Sequence, residues 1–155
     1  YFVELFINSG VRGSQLTFEG SFERNDLLNK YNPIDIALDT FPYNGGTTSL
    51  EASWMCVPIL TKRGNTFLSR CGESINISLG LSDWIAENDD DYIKKAINFS
   101  KNIDKIQSTK SYLINNRKKF KIFPCIILFS NPNFIAYASM VCIGLLSFEI
   151  SMKRS

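Results

Sequence analysis

Short apolar runs alternate with polar stretches rich in glycine, proline, serine and asparagine from Phe2 to about Phe120. Phe2 to Ile7 reads as the tail of a helix that ends at Gly10. Leu16 to Phe18 is expected to form a short strand, and Gly20 and Ser21 a turn. Arg24 to Tyr31 has helical spacing, with Leu27 and Leu28 on the inward face. Ile34 to Leu38 is a short apolar run of the kind that forms a buried parallel strand, and Asp39 closes it. Helical spacing resumes at Thr47 and carries Leu50, Ala52, Trp54 and Met55. Val57 to Leu60 reads as another strand, with Pro58 near its start. Asn65 to Leu79 reads as a loop feeding a helix. Leu81 to Ala86 is expected to be helical. Asp89, Asp90 and Asp91 supply acids for the start of the next helix, which carries Tyr92, Ile93, Ala96, Ile97 and Phe99. Residues 101–120 are expected to continue as a lysine-rich amphipathic helix whose basic residues, through Arg117, Lys118, Lys119 and Lys121, form a solvated face. The order is β-α-β-α-β-α followed by helices, which predicts an α/β fold with a doubly wound parallel sheet.

Ligands of such sheets sit beyond the carboxyl ends of the strands. The stretch in that position is Asp39 to Thr48, DTFPYNGGTT, with Glu51 shortly after it. The first turn of a helix leaves backbone N–H groups without intrahelical partners, and the helix dipole adds partial positive charge. Gly45 and Gly46 remove Cβ atoms, so a ligand can approach the backbone. Thr47 and Thr48 add hydroxyl donors. An anion such as a phosphate or diphosphate suits this place. Glu51, four residues after Thr47, shares its helix face and can accept hydrogen bonds from sugar hydroxyls. The combination points to a nucleotide, with an ordinary βα connection capped by threonine standing as the alternative. Neither GxGxxG nor GxxxxGK[ST] is present.

Composition narrows the classes. A hydrophobic share of 45% and a mean hydropathy near zero indicate one packed globular domain, or part of one. The net charge of +2 is too small to argue for nucleic acid or an anionic membrane. The chain has no histidine, which argues against a zinc site and removes histidine-based triads. Its four cysteines, Cys56, Cys71, Cys125 and Cys142, form no CxxC, so each reads as a small buried hydrophobe, in keeping with a reducing cytoplasm. Trp54 and Met55 read as core packing in preference to a cofactor face. The acidic triplet reads as helix-start charge in preference to a cation site. Tyr1 is not an initiator methionine, so a fragment or processed product is expected, and no signal-peptide pattern opens the chain.

From Ile122 to Phe148 there is no charged residue. Residues 1–121 are therefore expected to form the folded lobe and 122–155 an apolar tail. Three readings of the tail stand: a diverged terminal helix packed on the protein, a membrane helix, or a non-native segment. Its longer half, Phe134 to Phe148, has 15 residues, short of the ~20 needed to span a bilayer.

DIALDTFPYNGGTTSLEA, followed by Trp54-Met55-Cys56-Val57-Pro58, Gly64, Ser69-Arg70, Ser74, Gly80-Leu81 and Tyr92, resembles the C-terminal catalytic region of the O-linked N-acetylglucosamine transferase and SPINDLY family, glycosyltransferase family 41. The likeness is greatest to its bacterial, often tetratricopeptide-repeat-associated members. It runs from about Leu16 to Phe99. It implies the Rossmann-like, donor-binding lobe of a two-lobed GT-B fold. It further implies that Asn44, Gly45, Gly46, Thr47 and Thr48 hold the donor diphosphate and that Glu51 contacts the ribose. Arg24 falls where some relatives have a ribose-contacting lysine; a solvated helix-start charge is its alternative. Base recognition falls near Phe22. Leu27 stands where animal relatives stack a histidine on uracil, a departure that bears on base identity. Animal relatives also carry a histidine in the place of Gly46. Ser69 and Arg70 fall near the donor pocket, with a structural ion pair the alternative for Arg70.

The activity implied is transfer of N-acetylglucosamine from UDP-GlcNAc to serine or threonine hydroxyls of proteins. No cofactor is implied, and the reaction is expected to be metal-independent. The general base, the acceptor-binding lobe and a basic diphosphate contact are expected to lie upstream of Tyr1. The alternatives are a GDP-fucose-dependent protein O-fucosyltransferase, a non-catalytic nucleotide-binding or interaction module, and, on the tail alone, a membrane-anchored protein.

Overall fold

The computed structural model describes residues 2–122, apart from the side chains of Phe2 and Arg24. Its centre is a parallel three-stranded sheet in the order β1-β2-β3. β1 is Ala37–Leu38, β2 is Ile59–Lys62 and β3 is Ile85–Ala86. Ala37 pairs with Ile59 and Leu38 with Leu60, then Thr61 with Ile85 and Lys62 with Ala86. Two short helices precede the sheet, α1 (Phe2–Asn8) and α2 (Arg24–Lys30). The crossovers carry α3 (Thr47–Trp54) and α4 (Cys71–Ser78). After β3 come α5 (Asp89–Lys101) and α6 (Ile103–Asn116).

Strand alternation sorts the core. Successive side chains of a strand face opposite sides of the sheet. Ile36 and Leu60 accordingly join Ile75 and Leu79 of α4, Trp84, and Ile106 and Leu113 of α6. Ala37 and Ile59 join Tyr31, Ala52 of α3 and Val57, with Leu27 packed against them. Helices thus cover both faces, the arrangement of a doubly wound sheet. Asn76 of α4, fully buried, donates from Nδ2 to the Ile59 and Trp84 carbonyls, at 2.8 and 3.2 Å, and so ties the helix to β2 and to the turn before β3.

Helix ends follow local chemistry. Asn88 caps α5 by accepting from the Asp91 N–H, and Asn102 caps α6 by accepting from the Lys105 N–H. The second cap sets α6 apart from α5, and the helix expected over residues 101–120 runs from Ile103 to Asn116 before a 3-10 turn, Arg117–Lys119. Gly80 takes φ +71 just past α4, where the Leu81 N–H reaches back to the Asn76 carbonyl. Cys56 does the same past α3 at φ 61, with the Val57 N–H bonded to the Ala52 carbonyl.

The sequence reading of the strands needs four corrections. The first strand is Ala37–Leu38 and not Ile34–Leu38, because the Ile34 N–H closes a turn onto the Tyr31 carbonyl. Leu16–Phe18 is not a strand: it follows a 3-10 turn, Gly13–Gln15, as irregular chain, and no strand among the described residues pairs with it. Leu81–Ala86 is not a helix. Ser82–Trp84 is a 3-10 turn, and Ile85–Ala86 is the third strand, buried on both faces. β2 starts at Ile59 because Val57 still closes α3. In the basic run, Lys118, Lys119 and Lys121 are exposed as expected. Arg117 is not simply solvated: its guanidinium stacks 4.8 Å over the Trp54 ring and donates to the Trp54 carbonyl at the end of α3. The tail beyond Ile122, with Cys125 and Cys142, lies outside the described residues.

Candidate functional site

The carboxyl end of β1 runs into the loop Asp39–Gly46, and α3 begins at Thr47. The Asp39 N–H still belongs to the sheet, donating to the Leu60 carbonyl at 2.9 Å. Beyond it the chain turns back on itself. Oδ1 of Asp39 accepts from the Gly45 N–H at 2.8 Å. Oδ2 accepts from Thr61 Oγ1 at 2.7 Å and from Asn44 Nδ2. Asn44 Nδ2 also donates to Thr61 Oγ1 at 2.9 Å. Asn44 and Thr61 are buried, so this network lies beneath the loop. Burial pushes the Asp39 carboxyl above its ordinary value, while the bonds from Asn44, Thr61 and the Gly45 and Thr40 backbones pull it down.

Above the network the ground is open. A Cβ added at Gly46 would meet nothing within 4 Å. Gly46 precedes the first helical residue and has no side chain with which to cap it. Its carbonyl accepts from the Leu50 N–H at 3.0 Å, which starts the helical ladder. Thr47 and Thr48 are half-buried. The helix start therefore combines uncommitted backbone donors, positive dipole and space, which suits an anion. Gly45, in contrast, is pressed from below: a Cβ there would come 2.4 Å from Ser49 Oγ and 2.7 Å from Thr48 Oγ1. Of the paired glycines, one permits close packing and the other leaves an opening.

The remaining candidates fall around this point unequally. Glu51, one turn along α3, is only 4% exposed. Tyr31, at the end of α2, donates from its hydroxyl to the Thr48 carbonyl at 3.4 Å, which sets α2 beside the start of α3. Phe22 lies before α2, half-buried, with Lys30 Nζ 4.7 Å above its ring. Leu27 packs into the core cluster of Tyr31 and Ala52. The backbone of Arg24 opens α2, and its side chain lies outside the described residues.

Ser69 and Arg70 follow β2, on the carboxyl side of the sheet. The Ser69 hydroxyl is buried and bonded to Thr66, accepting from its N–H at 3.0 Å. Arg70 donates to Glu73 Oε2 at 3.0 Å, and Arg63 to Glu73 Oε1 at 2.7 Å. Arg70 is thus in an ion pair on α4. Burial works to raise the Glu73 carboxyl, but hydrogen bonds and charge from Arg63 and Arg70 outweigh it and hold the group below its ordinary value.

Sequence reasoning set Asp39 at the head of the loop without giving it a role, and missed Thr61, Gly72 and Tyr31 as parts of this region. A Cβ at Gly72 would lie 2.2 Å from both Asp39 Oδ2 and Thr61 Oγ1, so α4 abuts the network directly. Tyr92, read from the sequence as a position of the helix after the acidic triplet and as a family marker, donates from its hydroxyl to the Asp39 carbonyl at 3.0 Å. Burial first, and the Asp39 charge second, raise that phenol above its ordinary value. Burial likewise raises the Cys56 and Cys71 thiols. A separate depression of about 300 Å³ lies at the amino end of β3, between the Ser82–Trp84 turn and α6. Its charged lining residues, Asp83 and Lys105, are paired with each other at 2.8 Å, and it touches no residue of the glycine loop. The topology and the open helix start favour the loop.

The model of glycosyl transferase family 41 matches residues 2–131. The chain belongs to glycosyl transferase family 41. It is 35% identical over 86 residues to the probable UDP-N-acetylglucosamine–peptide N-acetylglucosaminyltransferase SPINDLY of Eustoma exaltatum subsp. russellianum, covering 56% of this chain and 9% of that protein. The Arabidopsis thaliana protein of the same description is 32% identical over 89 residues, 57% of this chain and 10% of its own length. Among solved structures, a point mutant of the Thermobaculum terrenum O-GlcNAc transferase superposes with a TM-score of 0.73 at 30% identity, covering 90% of this chain and 26% of that one. The fold is that of a Rossmann-like lobe of a GT-B glycosyltransferase. The family 41 chain spans about a tenth of the curated relatives it matches. No helix among the described residues is long and apolar enough to cross a membrane.

Proposed function

We propose that this chain is the nucleotide-sugar-binding lobe of a family 41 transferase that moves N-acetylglucosamine from UDP-GlcNAc to serine or threonine hydroxyls of proteins. The observation that carries the reading is the open helix start at Gly46–Thr48, placed by the Asp39 loop at the carboxyl end of a parallel strand. The names of its relatives supply the donor and the kind of acceptor. The donor diphosphate sits on the first turn of α3, between the Gly46 opening and the Thr47 and Thr48 hydroxyls. As the sugar departs, negative charge grows on the diphosphate. Preoriented N–H groups and hydroxyls stabilise that charge without reorganising. Glu51 serves the ribose, and Phe22 and Leu27 flank the base. The acceptor site and the general base come from an N-terminal lobe of the whole protein, with tetratricopeptide repeats as a further partner.

Isothermal titration of the intact protein tests this reading. UDP and UDP-GlcNAc bind the wild type, and replacing Thr47 and Thr48 together by valine removes that binding while leaving the thermal midpoint in place. Tighter binding of GDP-fucose would reassign the sugar and base. Equal affinity of the double variant for UDP would refute the placement of the diphosphate.

A further inference from the structure

We propose that Asp39 is a positioning residue for the donor, its carboxylate locking the glycine loop to β2 so that the start of α3 stays open to the diphosphate. The proposal rests on the reading of Thr47 and Thr48 as the diphosphate site. It goes beyond that reading, because Asp39 lies under the loop with both carboxyl oxygens engaged by Gly45, Thr61 and Asn44.

The backbone of Asp39 is anchored first. Its N–H is held by β2 and its carbonyl by the Tyr92 hydroxyl of α5. A side chain on so fixed a base is a rigid post. Three donors converge on it: the Gly45 N–H on one oxygen, Thr61 Oγ1 and Asn44 Nδ2 on the other. Two of the three belong to the loop itself, and the third belongs to the neighbouring strand. The loop is therefore closed through a carboxylate and fastened sideways to the sheet.

The orientation of Asn44 shows which bond dominates. Its Oδ1 is buried and has no hydrogen-bond partner among the described residues, while its Nδ2 is used twice. Turning the amide over would set its oxygen against the carboxylate, so the charge dictates the geometry. A neutral isostere cannot do the same, because an amide in place of the carboxyl has one acceptor oxygen for three donors.

The consequence reaches the helix start directly. Gly45 is the residue before the opening, and its N–H points down to Asp39. The N–H groups that follow, at Thr47 and Thr48, are left for the ligand. The negative charge is met by its own donors below the loop. Freed from Asp39, Gly45 and Gly46 have the widest backbone freedom of any residues, and the diphosphate cradle loses its shape.

The test uses the intact protein carrying Asp39→Asn, Thr61→Val and Thr61→Ser, with UDP as the probe. Asp39→Asn and Thr61→Val are expected to weaken UDP binding and raise the donor KM about tenfold to a hundredfold, the effect of a misplacement near 1 Å. The acceptor KM stays unchanged, and Thr61→Ser, which keeps the hydroxyl, restores binding. The Gly45 amide exchanges faster with solvent in the first two variants, while the Leu60 and Ile85 amides keep their protection. The exchange measurement needs no donor, so it separates the two readings. Wild-type UDP affinity in both Asp39→Asn and Thr61→Val, with Thr47→Val/Thr48→Val inactive in the same titration, would overturn the positioning role alone. Unaltered binding in the threonine pair variant would overturn the diphosphate site and this proposal with it. Should Asp39→Asn fail to fold, the Thr61 pair decides by the same criterion.

Discussion

Gly72 offers the sharpest test of how tightly the site is built, because two effects of opposite sign meet there. It lies in the first turn of α4, where replacing glycine by alanine ordinarily stabilises a helix by about 1 kcal/mol. In this protein the added Cβ would lie 2.2 Å from Asp39 Oδ2, 2.2 Å from Thr61 Oγ1 and 2.9 Å from the Thr61 Cβ. None of these atoms is the free end of a long side chain. Thr61 is fully buried on β2, and Asp39 is held by its backbone on both sides. Relief therefore means moving the helix off the sheet or breaking the bond between Thr61 and Asp39. Forced overpacking costs about 1–3 kcal/mol. A buried acceptor stripped of its partner adds about 1–3 kcal/mol. The steric side wins, and Gly72→Ala is expected to destabilise by about 1–5 kcal/mol after the helix gain is deducted. The assay is urea unfolding of the intact protein followed by near-UV circular dichroism, with Gly46→Ala as the control. A Cβ at Gly46 meets open space, so the control shifts the midpoint little. A Gly72→Ala midpoint equal to or above the wild type would refute the argument that the Asp39 network is packed without slack.

Two further outcomes follow from the buried polar groups. Glu73 has its carboxyl held below the ordinary value of 4.5 by Arg63 and Arg70 against the opposing effect of burial. A group lowered on folding contributes stability above its unfolded value and loses it as pH falls through the folded one. Glu73→Gln is therefore expected to lower the thermal midpoint at pH 7, with the gap to the wild type closing as pH falls below the ordinary carboxyl value; a constant gap down into acid would contradict the ion-pair account. Asn76→Ala removes the donors that reach the Ile59 and Trp84 carbonyls and should cost about 2–4 kcal/mol in urea unfolding, while a loss under 1 kcal/mol would mean that those carbonyls find other partners.

Much of the candidate site was legible because its signals are local. The glycine pair, the threonines and the acid one turn later lie within a few residues, and the helix start at Thr47 is where the spacing placed it. The cores of α2, α3 and α5 and the acidic start of α5 were likewise readable, since capping and 3.6-residue spacing act over short distances. The role of Asp39 was not. Read alone, it merely ends a strand. Its partners Asn44, Gly45 and Thr61 lie up to 22 residues away, and Gly72 farther still. The ion pair of Arg70 with Glu73 was one of two open readings, and the second arginine on Glu73, Arg63, comes from the loop just past β2.

The amino-acid sequence by itself determined that strands and helices alternate, that a helix opens just past two glycines, and that this opening suits an anion. It did so through backbone sterics and capping, which each residue exerts on its near neighbours. Only the tertiary structure decided which apolar runs are strands. Leu16–Phe18 and Ile85–Ala86 look alike as short strings, but a strand exists only where another strand offers its N–H and C=O groups, and β2 offers them to Ile85 and Ala86. The same holds for the half-buried carboxylate under the loop: an aspartate becomes a post when folding brings three donors to it.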